Sequence, residues 1–175
     1  MSRHLTSGIS FVLGGARSGK SVFAEKLVLE SGLQRVYVAT AQAWDEEMRA
    51  RIDTHKSRRQ TLWQTVEEPL ELPAVLQREA RQGRAILVDC LTLWVTNLML
   101  AEQPVADRFA SLYDALRQCE GLVVLVTNEV GLGIVPENQM ARDFRDHAGT
   151  LHQQVAAIAD QVDFVAAGLP LRLKG

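Results

Sequence analysis

Only two cysteines occur in the 175 residues, Cys90 and Cys119, too few and too far apart for a disulfide scaffold or a paired-cysteine metal site. Both are expected to be reduced, structural thiols. Charge of one sign is also missing. The 19 basic side chains meet 21 acidic ones and the pI is near 6.1, so nothing draws the chain broadly to nucleic acid or to an anionic membrane. A membrane-spanning helix needs roughly 20 apolar residues. The most apolar helical stretch, Leu91 to Ala101, is about half that length, and Met1-Ser2-Arg3-His4 has no signal-peptide core. These absences give the expectation of a cytoplasmic protein that handles a small ligand. No repeat, low-complexity tract or linker interrupts the chain. Residues 1–175 therefore read as a single domain, large enough for one sizeable core.

The most informative feature present is Gly14-Gly15-Ala16-Arg17-Ser18-Gly19-Lys20-Ser21, which fits G-x-x-x-x-G-K-[ST] and follows the apolar run Ile9 to Leu13. Glycines let backbone N–H groups turn toward a polyphosphate. Lys20 reaches the outer phosphates, and the Ser21 hydroxyl suits Mg²⁺. A helix expected from about Lys20 to Ser31 adds its positive N-terminal dipole. Arg17, inside the loop, has two open readings: a cation for a transferring phosphoryl group, or a solvated side chain.

Apolar, β-branched runs recur at Ile9–Leu13, Arg35–Ala39, Ala85–Asp89, Leu122–Thr127 and Val162–Ala167, with room for a helix in most intervals. This alternation predicts a mostly parallel sheet with helices on both faces, the three-layer α/β arrangement of P-loop NTPases. Thr61–Val66 is expected as an edge strand and Leu171–Lys174 as a short closing hairpin strand. Helices are expected over Asp45–Arg59, Leu70–Gln82, Leu91–Ala101, Val105–Cys119 and Gln139–Asp160, the last interrupted or strained near Gly149. Gly131, Gly133 and Pro136 mark an ordered loop after the fourth of the five principal runs, at the edge where α/β proteins bind ligands.

Asp89 ends an apolar run, where a P-loop protein places an acid for the Mg²⁺ shell; capping of the next helix is the competing reading. The following residue is Cys90, so the acidic pair common in ATP-driven motors is missing, and there is no N-K-x-D guanine-reading motif. A small transferase fits better than a motor or switch. Asn128 and Glu129 are candidates for orienting substrate or for anchoring their loop. Arg142 and Asp146 are read as a solvated i, i+4 pair. His55 lies on one side of the charged helical segment with Met48 and Ile52, and a neutral imidazole there is able to attack phosphorus. His4, His147 and His152 have no comparable case. Trp44, Trp63 and Trp94 are candidates for a large flat ligand, although tryptophan more often packs in a core or an interface.

The motifs GGARSGKS (14–21), YVATAQAWDEEMRARIDTHKSRR (37–59), LVDCLTLWVTNL (87–98) and VTNEVGLGIVPENQMARDFRDHAGTLHQ (126–153) together resemble one family over nearly the whole chain. That family is the bifunctional adenosylcobinamide kinase / adenosylcobinamide-phosphate guanylyltransferase of cobalamin biosynthesis. The resemblance implies phosphorylation of adenosylcobinamide by ATP or GTP. GMP then passes from GTP through a histidine to adenosylcobinamide phosphate. It implies that His55, in Arg51-Ile52-Asp53-Thr54-His55-Lys56, is the guanylylated histidine, that Lys20 is catalytic, and that residues 14–21 and Asp89 hold nucleotide. Ser21 and Asp89 would serve Mg²⁺. A mostly parallel sheet with an antiparallel edge and a homotrimer are further implications. One departure is visible, since a usual G-x-L-N-Q pattern reads Gly149-Thr150-Leu151-His152-Gln153. A small-metabolite kinase without the guanylyl step is the alternative enzyme reading. A nucleotide-dependent assembly factor is the alternative from another class.

Overall fold

The computed structural model describes residues 6–42 and 62–175. Seven strands form one sheet: β1 (Gly8–Gly14), β2 (Gln34–Ala39), β3 (Trp63–Glu67), β4 (Arg84–Asp89), β5 (Leu122–Asn128), β6 (Gln161–Ala166) and β7 (Leu169–Lys174). Their spatial order is β3-β2-β4-β5-β1-β6-β7. Every pairing is parallel except β6 with β7, which is antiparallel. The helices among the described residues are α1 (Lys20–Glu30), α2 (Leu72–Glu79), α3 (Leu91–Leu100), α4 (Val105–Arg117) and α5 (Gln139–Ile158).

Period-two alternation along each strand sends successive side chains to opposite faces, and the central strands are apolar on both. Phe11, Val36, Val38, Ile86, Val88, Val123 and Leu125 pack with Leu72 and Leu76 of α2, Trp94 and Leu98 of α3, Phe109 and Leu112 of α4, and Leu151 and Val155 of α5. On the other face Val12, Tyr37, Leu87, Val124 and Val126 pack with Ala24 and Val28 of α1. This is the expected three-layer α/β architecture with an antiparallel edge.

Several boundaries differ from expectation. The second helix starts at Leu72 rather than Leu70, because Glu68 Oε1 accepts from the backbone N–H groups of Leu70 (3.0 Å) and Glu71 (2.9 Å) and holds a turn there. It also stops earlier, at Glu79. β7 begins at Leu169, so Pro170 lies within it, which an edge strand tolerates because one side of its backbone has no ladder to complete. The expected break near Gly149 is absent. Helix α5 runs unbroken through it, and a Cβ there would meet nothing within 4 Å. The roughly 1 kcal/mol cost of glycine relative to alanine is outweighed by buried Ala148, Leu151 and Val155 and by the Asn138 cap, whose Oδ1 accepts from Ala141 N at 2.7 Å. The expected helix over Asp45–Arg59 lies outside the described residues.

Candidate active site

Strands β1, β5 and β4 are neighbours and parallel, so their carboxyl ends bring three segments to one sheet edge: residues 14–21, Asp89, and the loop that begins at Asn128. Ligands of open α/β sheets bind at such an edge.

The 14–21 segment leaves β1, turns, and enters α1. Gly14 cannot carry a side chain, because a Cβ would sit 2.5 Å from Ser18 Oγ and 2.6 Å from the Val165 carbonyl oxygen. Gly19 has φ +93° and Arg17 has φ 56°, so two residues of the turn are left-handed, which is easy for glycine and costly for arginine. The loop is braced by Ser18 N donating to Gly15 O (3.3 Å) and by Gly168 N, from the β6–β7 turn, donating to Ser18 O (2.7 Å). Ala16 and Arg17 are exposed, and Gly15 is half-buried. Lys20 Nζ donates to Gly15 O at 3.1 Å. Burial holds the Lys20 ammonium below the usual lysine range, with Cys90 and Asp89 nearby acting the other way. Ser21 is half-buried in the first turn of α1.

Asp89 does not cap the following helix. That role falls to Cys90 by position, without a side-chain bond, while Asp89 Oδ2 accepts from the Tyr37 hydroxyl at 2.8 Å. The backbone around Asp89 is pinned by Thr40. Its N–H donates to Asp89 O (3.2 Å), its Oγ1 accepts from Cys90 N (2.9 Å), and the same hydroxyl donates to Cys90 O (2.7 Å). Cys90 is buried and Cys119 half-buried; both are free, and burial pushes each thiol up to about 11, so both stay protonated and unreactive at neutral pH.

The loop after β5 is anchored where it starts, by Glu129. Glu129 N donates to Gly14 O (3.1 Å), while the Glu129 carboxylate accepts from Gly131 N (2.7 Å) and Leu132 N (3.1 Å). Its anchoring role is therefore the one the contacts express. Arg142 does not pair with Asp146 as expected. It donates to the carbonyls of Pro136 and Glu137 and to Gln139 Oε1, clamping the far end of the loop, and Arg145 takes Asp146 instead. The backbone carbonyls left open by the loop outcompete a solvated ion pair. Between these anchors Leu132, Ile134 and Val135 are exposed.

A polar chain runs beneath the loop. His152 Nε2 bonds Thr127 Oγ1 (2.8 Å), Thr127 Oγ1 bonds Thr92 Oγ1 (3.1 Å), and Thr92 Oγ1 accepts from Asn128 N (2.7 Å). Burial holds His152 down to about 4 against the pull of Glu129, so the ring is neutral at pH 7. The Asn128 Oδ1 atom is buried with no partner among the described residues.

Ser21 and Asp89 offer a hydroxyl and a carboxylate, the hard oxygen donors that Mg²⁺ takes. Among the described residues no group of three or more His, Cys, Asp or Glu side chains could hold a metal. That donor set fits a cation ligated largely by nucleotide phosphates and water rather than one caged by protein.

A family model described as cobinamide kinase / cobinamide phosphate guanyltransferase matches residues 10–173. The chain belongs to that family. It is 51% identical over 166 residues to the bifunctional adenosylcobalamin biosynthesis protein CobP of Pseudomonas aeruginosa, covering 94% of this chain and 96% of the relative. It is 43% identical over 178 residues to the bifunctional adenosylcobalamin biosynthesis protein CobU of Salmonella typhimurium, covering 93% and 98%. Among solved structures, the flagellar accessory protein FlaH of Methanocaldococcus jannaschii aligns with a TM-score of 0.53 at 12% identity over 97% of this chain and 79% of its own. The P4 protein of bacteriophage phi6, in complex with ADP, aligns with a TM-score of 0.51 at 21% identity over 97% and 54%. These two likenesses bear on the fold alone.

Within this cobinamide kinase / guanyltransferase chain, the structure brings Gly14 to Ser21 and Asp89 to one edge. His55 and Trp44 lie outside the described residues. Trp94 is fully buried and donates through Nε1 to Leu70 O (2.9 Å), while Trp63 packs edge-on against Tyr37 with ring centroids 6.1 Å apart. Neither described tryptophan is a free platform. Sequence reasoning passed over Tyr37, Thr40, Thr92 and Thr127. For Thr40 and Thr127 the available signal was a polar side chain at or next to the carboxyl end of an otherwise apolar strand; Tyr37 inside β2 and Thr92 in the first turn of α3 carried no such signal.

Proposed function

We propose that this member of the cobinamide kinase / cobinamide phosphate guanyltransferase family performs two successive transfers at one phosphate cradle. The observation that carries this is the convergence of the braced 14–21 loop, Lys20 and Asp89 on a single sheet edge, in a chain about half identical to a bifunctional relative. In the first reaction the γ-phosphoryl group of ATP or GTP passes to a hydroxyl of adenosylcobinamide. Phosphoryl transfer asks the protein mainly for positioning and charge neutralisation. The loop amides and Lys20 hold the polyphosphate, and Arg17 lies on the exposed side of the loop where a transferring group would pass. Mg²⁺, which Ser21 and Asp89 would hold, supplies further neutralisation of the phosphate oxygens.

In the second reaction the His55 imidazole attacks the α-phosphorus of GTP and pyrophosphate leaves. A phosphate oxygen of adenosylcobinamide phosphate then displaces the histidine, giving adenosylcobinamide-GDP. Splitting one displacement between two bulky anions into two steps is the usual advantage of covalent catalysis. The family resemblance also supports a homotrimer, and the balanced charge and the N-terminus without a signal-peptide core support a cytoplasmic setting. No helix among the described residues is long and apolar enough to cross a membrane.

The test uses GTP labelled at the α-phosphorus. The enzyme is expected to acquire acid-labile, base-stable label that His55→Ala abolishes while adenosylcobinamide phosphorylation continues. Phosphorylation without any protein label would leave a kinase alone. Nucleotide binding with neither transfer would point to an assembly factor.

A further inference from the structure

Tyr37 is a buried phenol that the reactions above do not use. It sits in β2, 3% exposed, with its ring against Trp63 of β3. In the β2–β4 ladder Ala39 pairs with Asp89 and Tyr37 with Leu87, so Tyr37 and Asp89 lie on the same face, two residues apart diagonally. A long aromatic side chain spans that diagonal. Its hydroxyl donates to Asp89 Oδ2 at 2.8 Å, while Thr40 fixes the Asp89–Cys90 backbone from both directions. The carboxylate is thus held at its base and at one of its two oxygens.

We propose that Tyr37 is a positioning residue that restricts Asp89 to a single oxygen, Oδ1, toward the cation of the bound nucleotide. The inference rests on the reading of Asp89 as a Mg²⁺-shell residue. Its chemical consequence is selectivity. Mg²⁺ demands a small octahedral shell and is satisfied by one carboxylate oxygen or by water bridged to it, whereas Ca²⁺ takes larger, flexible shells in which carboxylates are often bidentate. The hydrogen bond occupies one lone pair of Oδ2 and so weights the carboxylate against bidentate ligation. Trp63 restrains the ring, so the hydroxyl is not free to swing away when a cation arrives.

Binding of a fluorescent methylanthraniloyl-GTP, titrated with MgCl₂ or CaCl₂ and repeated with EDTA, tests this on the whole enzyme. Tyr37→Phe is expected to leave metal-free nucleotide affinity unchanged and to raise the Mg²⁺ concentration for half-saturation about three- to tenfold, the scale of one hydrogen bond. The Ca²⁺ requirement should rise less or fall, narrowing the preference for Mg²⁺. An unchanged Mg²⁺ requirement, or an equal loss of metal-free binding, overturns the proposal. Asp89→Asn separates the two layers. If it leaves the Mg²⁺ requirement untouched, the reading of Asp89 fails and Tyr37 with it; if it raises the requirement and Tyr37→Phe does not, only the role of Tyr37 fails. Should Tyr37→Phe not fold, the chain's two tyrosines permit a probe that keeps the hydroxyl. Tyr113 has a buried hydroxyl without a partner among the described residues, so Tyr113→Phe removes no bond seen there, and 3-fluorotyrosine then reports on position 37 alone. Its ¹⁹F resonance is expected to move when MgCl₂ is added to the GTP-bound enzyme. No movement overturns the proposal.

Discussion

At the scale of single residues, the site is controlled by atoms with no room to move. Gly14 is the clearest case, because the obstacles a Cβ would meet include the carbonyl of Val165, which belongs to the backbone of the neighbouring strand. Gly14→Ala is expected to lose about 1–3 kcal/mol of stability and to weaken GTP binding at least tenfold, measured by denaturant unfolding and equilibrium titration. His152 gives a pH dependence with a definite sign. The folded ring accepts a proton only near pH 4, whereas an unfolded histidine does so near 6.5, so between those values the unfolded chain binds more protons. The contribution of His152 is fully present above about pH 6.5 and is lost as pH falls toward 4. Calorimetric melting should therefore drop between pH 7 and pH 5, and His152→Asn should flatten that drop.

At the scale of elements, the strands and most helices were legible because buried parallel strands are nearly continuous apolar runs, as in Ile86-Leu87-Val88 and Val123-Val124-Leu125. The phosphate loop was legible because its chemistry tolerates few alternatives at Gly14, Gly19 and Lys20. What was not legible lay in competition between partners. Arg142 had both an acidic neighbour one helical turn away and open loop carbonyls within reach, and spacing reveals only the first. Glu68 likewise shortened α2 through a local turn that no periodicity announces. The loop from Glu129 to Asn138 is consequently a built element, clamped at both ends. Arg142→Ala is expected to speed amide exchange at residues 131–135 at least tenfold while leaving exchange in β5 and α5 unaltered, as read by mass spectrometry. Unchanged loop exchange would show that Glu129 suffices.

At the scale of the whole molecule, two stretches among the described residues each carry several exposed apolar side chains. Leu169 and Leu171 alternate along the outermost strand and so share one face, Leu173 is exposed beyond them where the β6–β7 register shifts, and Leu132 and Ile134 stand out from the clamped loop. Monomers seldom leave such surface bare, and self-association is the expected use of the strand. If the chain forms the proposed trimer through this strand, Leu171→Lys is expected to lower the mass seen by light scattering, with methylanthraniloyl-GTP binding per chain retained. A full trimer in that variant would move the contact elsewhere.

The bond from Gly168 to Ser18 places a constraint on the order of events at the ribosome. The nucleotide motif is translated early, yet β1 is flanked only by β5 and β6, and its brace is the turn leading into β7. A nascent chain exposing the entire GGARSGKS signature would still lack both walls of the groove that shapes it. Nucleotide capture is accordingly expected only from a chain already translated past the turn into β7.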